Sequence, residues 1–118
     1  MTAPSKSLID DLSALTWLPP WAALAPADAA QHEATLSKIV SVQHPLYGRG
    51  GKAVAARSDD AEDVLFVLSG PDALCVVNLA SATKPSATRP FFLLFESVAE
   101  FEQGCMVPDH LEHTDEDV

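Results

Sequence analysis

The chain has 118 residues, of which 47% are apolar and 20% charged, and its formal net charge at pH 7 is −10. This length suits one compact domain, and the apolar content excludes a disordered chain. The acidic balance excludes most proteins that bind nucleic acid or an anionic membrane surface, since both attract basic proteins. No apolar run approaches the roughly 20 residues of a membrane span, and the start of the chain has no apolar signal core. We therefore expect a cytoplasmic protein.

The negative charge is distributed unevenly along the chain. Residues 27–58 carry a net charge of +2, whereas the residues from Asp59 onward carry −11. The change begins at an acidic group that includes Asp59, Asp60, Glu62 and Asp63 and continues with Asp72. Acidic loops commonly serve solubility. The alternative is a negative surface that meets a basic partner.

Two helices are predicted before the strands. Residues 7–15 place leucines at helical spacing, and the pair Pro19-Pro20 ends this helix. The second helix is predicted over 27–40, because Pro26 suits a first helical turn and apolar residues recur on one stripe. Trp21 follows the proline pair, and we interpret it as a core residue, with an exposed binding anchor as the alternative.

The predicted strands span residues 52–57, 63–69, 73–80 and 91–96. The second of these is apolar on both faces, which is typical of a central strand covered twice. Ser97 and Glu100 match a capping box, so a short helix is predicted to run to about Gln103, with Gly104 as its stop. Residues 109–118 show no apolar period and are predicted to be a flexible acidic tail.

These elements predict an α+β fold with one domain over residues 1–108. Short turns between strands favour an antiparallel sheet of about four strands, with the two N-terminal helices and the short C-terminal helix packed on one of its faces.

Candidate reaction centres are weak in this sequence. The acidic group at 59–63 lacks the alternating ligands and central glycine of a calcium loop. His110 and His113 lie three residues apart, but a zinc site needs further ligands. Cys75 and Cys105 have no Cys or His at ligand spacing, and we expect both to be reduced. We predict no catalytic residue, metal or cofactor.

Several segments between residues 35 and 103 carry a family resemblance. They are His44-Pro45-Leu46-Tyr47-Gly48, then residues 60–66, then Phe95-Glu96-Ser97 with Glu100-Phe101. In these segments the chain resembles a group of short acidic bacterial proteins without assigned activity. More broadly it resembles the immunity proteins of bacterial polymorphic-toxin and contact-dependent-inhibition systems. The resemblance implies a cytoplasmic protein that binds and blocks a cognate toxin domain.

The sequence thus predicts a non-catalytic binding protein whose partner is a basic protein. It predicts binding to neither nucleic acid nor a membrane. The residues predicted to form the binding face are Asp59, Asp60, Glu62, Asp63, Asp72, Trp21 and Tyr47. A first alternative is a subunit of a homodimer or larger assembly, suggested by the apolar density of residues 64–68 and 91–95. A second is an enzyme with a pocket between sheet and helices.

Overall fold

The computed structural model describes Leu12 and residues 15–49, 51–57, 63–68, 73–79 and 90–115. Its elements in chain order are β1 (Trp21–Ala23), α1 (Pro26–Ile39), β2 (Lys52–Arg57), β3 (Asp63–Leu68), β4 (Ala73–Asn78), β5 (Phe92–Phe95), α2 (Val98–Phe101), a π-helical segment (Glu102–Met106) and α3 (Val107–Asp115).

The strands form one antiparallel sheet in the order β1-β2-β3-β4-β5, so each strand pairs with its neighbours in the chain. The predicted α+β class and antiparallel sheet are confirmed. The sheet has five strands rather than four, because Trp21–Ala23 pairs with the end of β2 and adds a first strand. Three residues are too few to show a strand period in a sequence.

The sheet is covered on both faces. Alternate residues of β3 and β4 enter two separate core clusters, as the pleat of a strand requires. One cluster joins them to the C-terminal helical residues Phe101 and Met106, and the other joins them to Leu36 of α1. The prediction that helices pack on one face is therefore wrong, whereas the prediction of a doubly covered central strand is confirmed.

Helix α1 is confirmed within one residue at each end. Leu36 is its buried residue, and the Glu33 Oε2 atom accepts a hydrogen bond of 3.0 Å from the backbone N–H of Ala53 in β2. The helix predicted over 7–15 lies outside the described residues except for Leu12 and Leu15. Leu12 is buried in the cluster that contains Phe101.

The C-terminal helical run is longer than predicted. Ser97 caps it, since its hydroxyl oxygen accepts from the backbone N–H of Glu100 at 3.1 Å. The run passes through Gly104 and continues to Asp115, so the predicted end near Gln103 is wrong and part of the predicted tail is helical. A wide π-helical turn directly precedes Pro108, where a regular α-helix would bring the proline ring against a carbonyl group.

Candidate interaction surface

Strand β5 forms one edge of the sheet and exposes apolar side chains. The exposed fractions are 55% for Phe91, 62% for Leu93 and 51% for Leu94. Among the described residues, no strand pairs with its outer side. We call the outer edge of β5 together with the side chains of Phe91, Leu93 and Leu94 the edge surface. An apolar edge strand of this kind is a ready template for pairing with another chain.

The side chains of the edge surface point to both faces of the sheet. Leu93 lies opposite Val76 and so belongs to the face that the C-terminal helical run covers. Leu94 lies opposite Cys75, on the face that α1 covers. Both helical layers therefore end short of the sheet edge and leave these two leucines in solvent.

The backbone of β5 presents a defined set of hydrogen-bonding groups. The Asn78 N–H donates to the Phe91 carbonyl oxygen at 3.0 Å, which marks these residues as a hydrogen-bonded pair of the ladder. Hydrogen-bonded and non-hydrogen-bonded pairs alternate in an antiparallel ladder. With the observed register, Leu93 therefore also faces β4 with its backbone groups, whereas Phe92 and Leu94 direct their N–H and C=O groups outward.

Side chains engage the backbone at both ends of this edge. The Pro90 carbonyl oxygen accepts a 3.0 Å hydrogen bond from Nε2 of the buried His44. The His44 Nδ1 atom accepts from the Leu46 N–H at 3.1 Å, so the ring carries its proton on Nε2. At the other end, the Glu96 N–H donates to Oε1 of Glu100 at 2.8 Å. These contacts limit the outward pairing groups to the centre of β5.

Exposed carboxylates lie beside the edge surface. Glu96 follows β5 directly, and Glu100 lies in the first turn of α2, and both are exposed. Because Glu100 bonds the Glu96 backbone, its charge is held close to the end of the strand. The surface thus has an apolar centre and an acidic rim, which is the usual anatomy of a protein interface.

The described members of the predicted binding face, Asp63, Tyr47 and Trp21, lie in different parts of the fold. Asp59, Asp60, Glu62 and Asp72 lie outside the described residues. Asp63 begins β3, where its Oδ1 atom accepts from the Asn78 side-chain amide at 2.9 Å. Tyr47 is exposed in the turn that follows α1. Only 1% of Trp21 is exposed, so a surface anchor does not fit this residue and its ring belongs to the core.

Three donor groups surround one carboxylate oxygen of Asp109 in α3. The sequence indicated none of these contacts. Its Oδ2 atom accepts from Trp21 Nε1 at 2.9 Å and lies 3.3 Å from Nη1 of Arg57 and 3.5 Å from Sγ of Cys105. His110 adds a contact of 2.6 Å between Nδ1 and the Pro19 carbonyl oxygen. Together these bonds attach α3 to β1 and β2.

The two cysteines are not activated thiols. Burial raises the pKa of the Cys75 thiol from 9.0 to about 12, although the positive charge of Arg49 lowers it somewhat. Burial also raises the pKa of the Cys105 thiol to about 12, and the charge and hydrogen bond of Asp109 act in the same direction. A thiol must ionise to act as a nucleophile, so both remain unreactive near neutral pH.

A cleft of about 450 Å³ lies between α1 and the turn that follows it. Tyr47 and Leu46 line it from the turn, and Leu36 and Glu33 line it from the helix. The Glu33 carboxylate already joins the helix to β2 through the Ala53 N–H. The Glu33 carboxylate on the cleft wall therefore already has a structural partner in β2.

Within the described part of the chain, no group of three His, Cys, Asp or Glu side chains is arranged to hold a metal ion. The described helices also lack the combination of length and apolar character needed to cross a membrane. Comparisons of the whole chain with protein-family models, curated proteins and solved structures found no match.

The edge surface is the feature that sequence reasoning missed as a site. Residues 91–96 are predicted as a strong apolar strand, and their density suggested an assembly, but a sequence does not reveal which strand ends the sheet. The available signal was the chain order, since strands that each pair with their neighbours in the chain leave the last strand at an edge.

Proposed function

We propose that this chain is a non-catalytic protein-binding protein of the immunity type. It binds a basic protein partner, such as a toxin domain, and the edge surface makes the central contact. The observation that carries this proposal is the exposure of Phe91, Leu93 and Leu94 on a sheet edge. Apolar side chains exposed along the edge of a sheet, with charged residues beside them, are typical of protein interaction sites.

The electrostatics support a basic partner. The chain carries a net charge of −10, and Glu96 and Glu100 place negative charge beside the apolar centre. Complementary charge at the rim of an interface mainly accelerates association and selects the partner, while the apolar centre supplies most of the affinity. The expected binding rate therefore falls as salt rises, whereas dissociation changes little.

The chemistry of the thiols supports binding over catalysis. Cys105 is the more accessible of the two, but its pKa of about 12 keeps it protonated. Asp109 is held by Trp21 and Arg57, so this polar cluster serves to attach a helix.

The test first searches the sequence beside this chain's gene for a toxin-like reading frame and then uses the protein that this frame encodes. Its catalytic domain, inactivated by mutation, is titrated calorimetrically with the wild-type chain, with Leu93→Asp and with Val42→Asp. Val42 is 72% exposed outside the edge surface, so it is a matched control. A charge placed in the centre of the interface is expected to weaken binding by about 2 kcal/mol or more, which is roughly thirtyfold, and the control should change it little.

Two results would overturn the proposal. One is equal binding of the wild type and Leu93→Asp. The other is the lack of a toxin-like reading frame next to the gene together with the recovery of no basic partner from the native host.

A further inference from the structure

We propose that, in the absence of another partner, the edge surface binds a second copy of this chain. The two β5 strands pair antiparallel about a two-fold axis at Leu93, and the two sheets become one sheet of ten strands. This inference rests on the part of the proposed function that makes the edge surface a protein-binding surface. It adds the identity of one occupant and the register of its pairing.

The backbone groups of the edge determine the register. Two antiparallel strands bond through residues whose N–H and C=O groups point outward, which here are Phe92 and Leu94. Pairing centred on Leu93 sets Phe92 opposite Leu94 of the second copy, and Leu94 opposite its Phe92. Each of these two pairs exchanges two hydrogen bonds, so all the outward groups at the centre of the strand are used.

The neighbouring registers lack the necessary groups. A shift centred on Leu94 would need the Glu96 N–H, which already donates to Glu100. A shift centred on Phe92 would need both backbone groups of residue 90. That residue is a proline and has no N–H, and its carbonyl oxygen already accepts from His44. The contacts at the two ends of the edge therefore select one pairing.

The side chains complement each other in the same register. Leu93 meets Leu93 of the second copy in a non-hydrogen-bonded pair, where side chains approach most closely. On the same face Phe91 lies opposite Phe95 of the other copy, and on the opposite face Leu94 lies opposite its Phe92. The side chains of Phe91, Leu93 and Leu94 thus become covered by apolar side chains of the second copy.

Within the paired strands no like charges are brought together, although the whole chain is acidic. Glu96 of one copy lies opposite Pro90 of the other, so no carboxylate of the strand faces another across the ladder. Strand β5 itself, Phe92–Phe95, contains no charged residue. The remaining repulsion comes from the overall charge of −10 and is screened by salt.

The proposed pairing also forms a closed assembly. Natural edge strands are usually protected by lysine, proline or a bulge, and β5 contains none of these. Pairing of β5 with its own copy consumes both β5 edges, so growth stops at two chains. A two-fold contact that uses one surface twice is the commonest form of soluble oligomer.

The test measures mass and register together. Sedimentation equilibrium of the wild type at tens of micromolar and above should give twice the mass of 12.6 kDa, and Leu93→Asp should give the single mass. Leu93→Cys places two thiols across a non-hydrogen-bonded pair, where the close approach of opposite residues suits a disulfide. Under mild oxidation it should form a linked dimer about tenfold faster than Val42→Cys, because pairing raises the effective thiol concentration.

A monomeric wild type, or a Leu93→Cys variant that links no faster than Val42→Cys, overturns the inference. Hydrogen exchange of the unmodified chain is an independent measurement. The Phe92 and Leu94 amides should become protected as concentration rises, and protection that does not depend on concentration also counts against pairing. A monomeric chain whose toxin binding is weakened by Leu93→Asp refutes this inference alone. A dimer whose Leu93→Asp variant still binds toxin refutes the proposed function alone.

Discussion

Substitution of Asp109 tests whether one carboxylate attaches α3 to the sheet. Its Oδ2 atom accepts from Trp21 Nε1, and the Trp21 side chain is 1% exposed, so Asp109→Ala leaves a buried N–H without its partner. Such a loss costs about 1–3 kcal/mol. The Arg57 pair is about one-fifth exposed at both side chains and adds at most about 1 kcal/mol. We expect a total loss of about 1–4 kcal/mol in the free energy of unfolding.

Urea denaturation followed by far-ultraviolet circular dichroism measures this loss. Asp109→Asn retains an oxygen that can accept from Trp21 but removes the charge, so its expected loss is about 1 kcal/mol. Glu112→Ala is the control on the same helix, since Glu112 is exposed and should change the unfolding free energy by no more than about 0.5 kcal/mol. A loss below about 0.5 kcal/mol for Asp109→Ala, or equal losses for the Ala and Asn variants, would refute the reasoning.

Three further predictions concern other parts of the fold. His44→Phe should lower the free energy of unfolding by about 2–4 kcal/mol in urea, because the Leu46 N–H and the Pro90 carbonyl each lose a buried partner; a neutral result would contradict this. Cys105 should react with iodoacetamide in the native state far more slowly than in urea at pH 8. Its folded-state pKa is raised from 9.0 to about 12, so its contribution to stability is complete below pH 9 and is lost as pH rises toward 12. Equal reaction rates would show that the folded thiol is as accessible and as readily ionised as the unfolded one. Gly48→Ala should cost about 1 kcal/mol in thermal unfolding, because Gly48 has φ of +77° although open space surrounds it; an unchanged or raised Tm would be inconsistent with backbone strain.

The strands were predictable because their signals are local. β3 and β4 are short apolar segments bounded by turn residues, and their bounds agree with the prediction within one or two residues. Helix α1 was also predictable, from Pro26 in its first turn and from the apolar residues that recur on one stripe. The α+β class follows from these elements without any information on long-range contacts.

The errors arise where distant residues override local signals. Gly104 and Pro108 are ordinary helix terminators, but the run continues through both, and the contacts of Asp109 with Trp21 and Arg57 hold it on the sheet. β1 exists because β2 offers it a partner. The candidate site was missed for the same reason, since the edge position of Leu93 depends on the order of the whole sheet.

The chain order of the two core clusters has a consequence for synthesis. β1 to β4 and α1 are complete before α2 is made, so the cluster that contains Leu36 can form early. The other face of the sheet needs Phe101 and Met106, which come near the end of the described residues. A nascent chain that stops at residue 97 would therefore hold a paired sheet with one apolar face only partly covered, by residues such as Leu12, and such partly exposed intermediates are prone to aggregate. In this protein the last helical run both closes the core and ends that period of exposure.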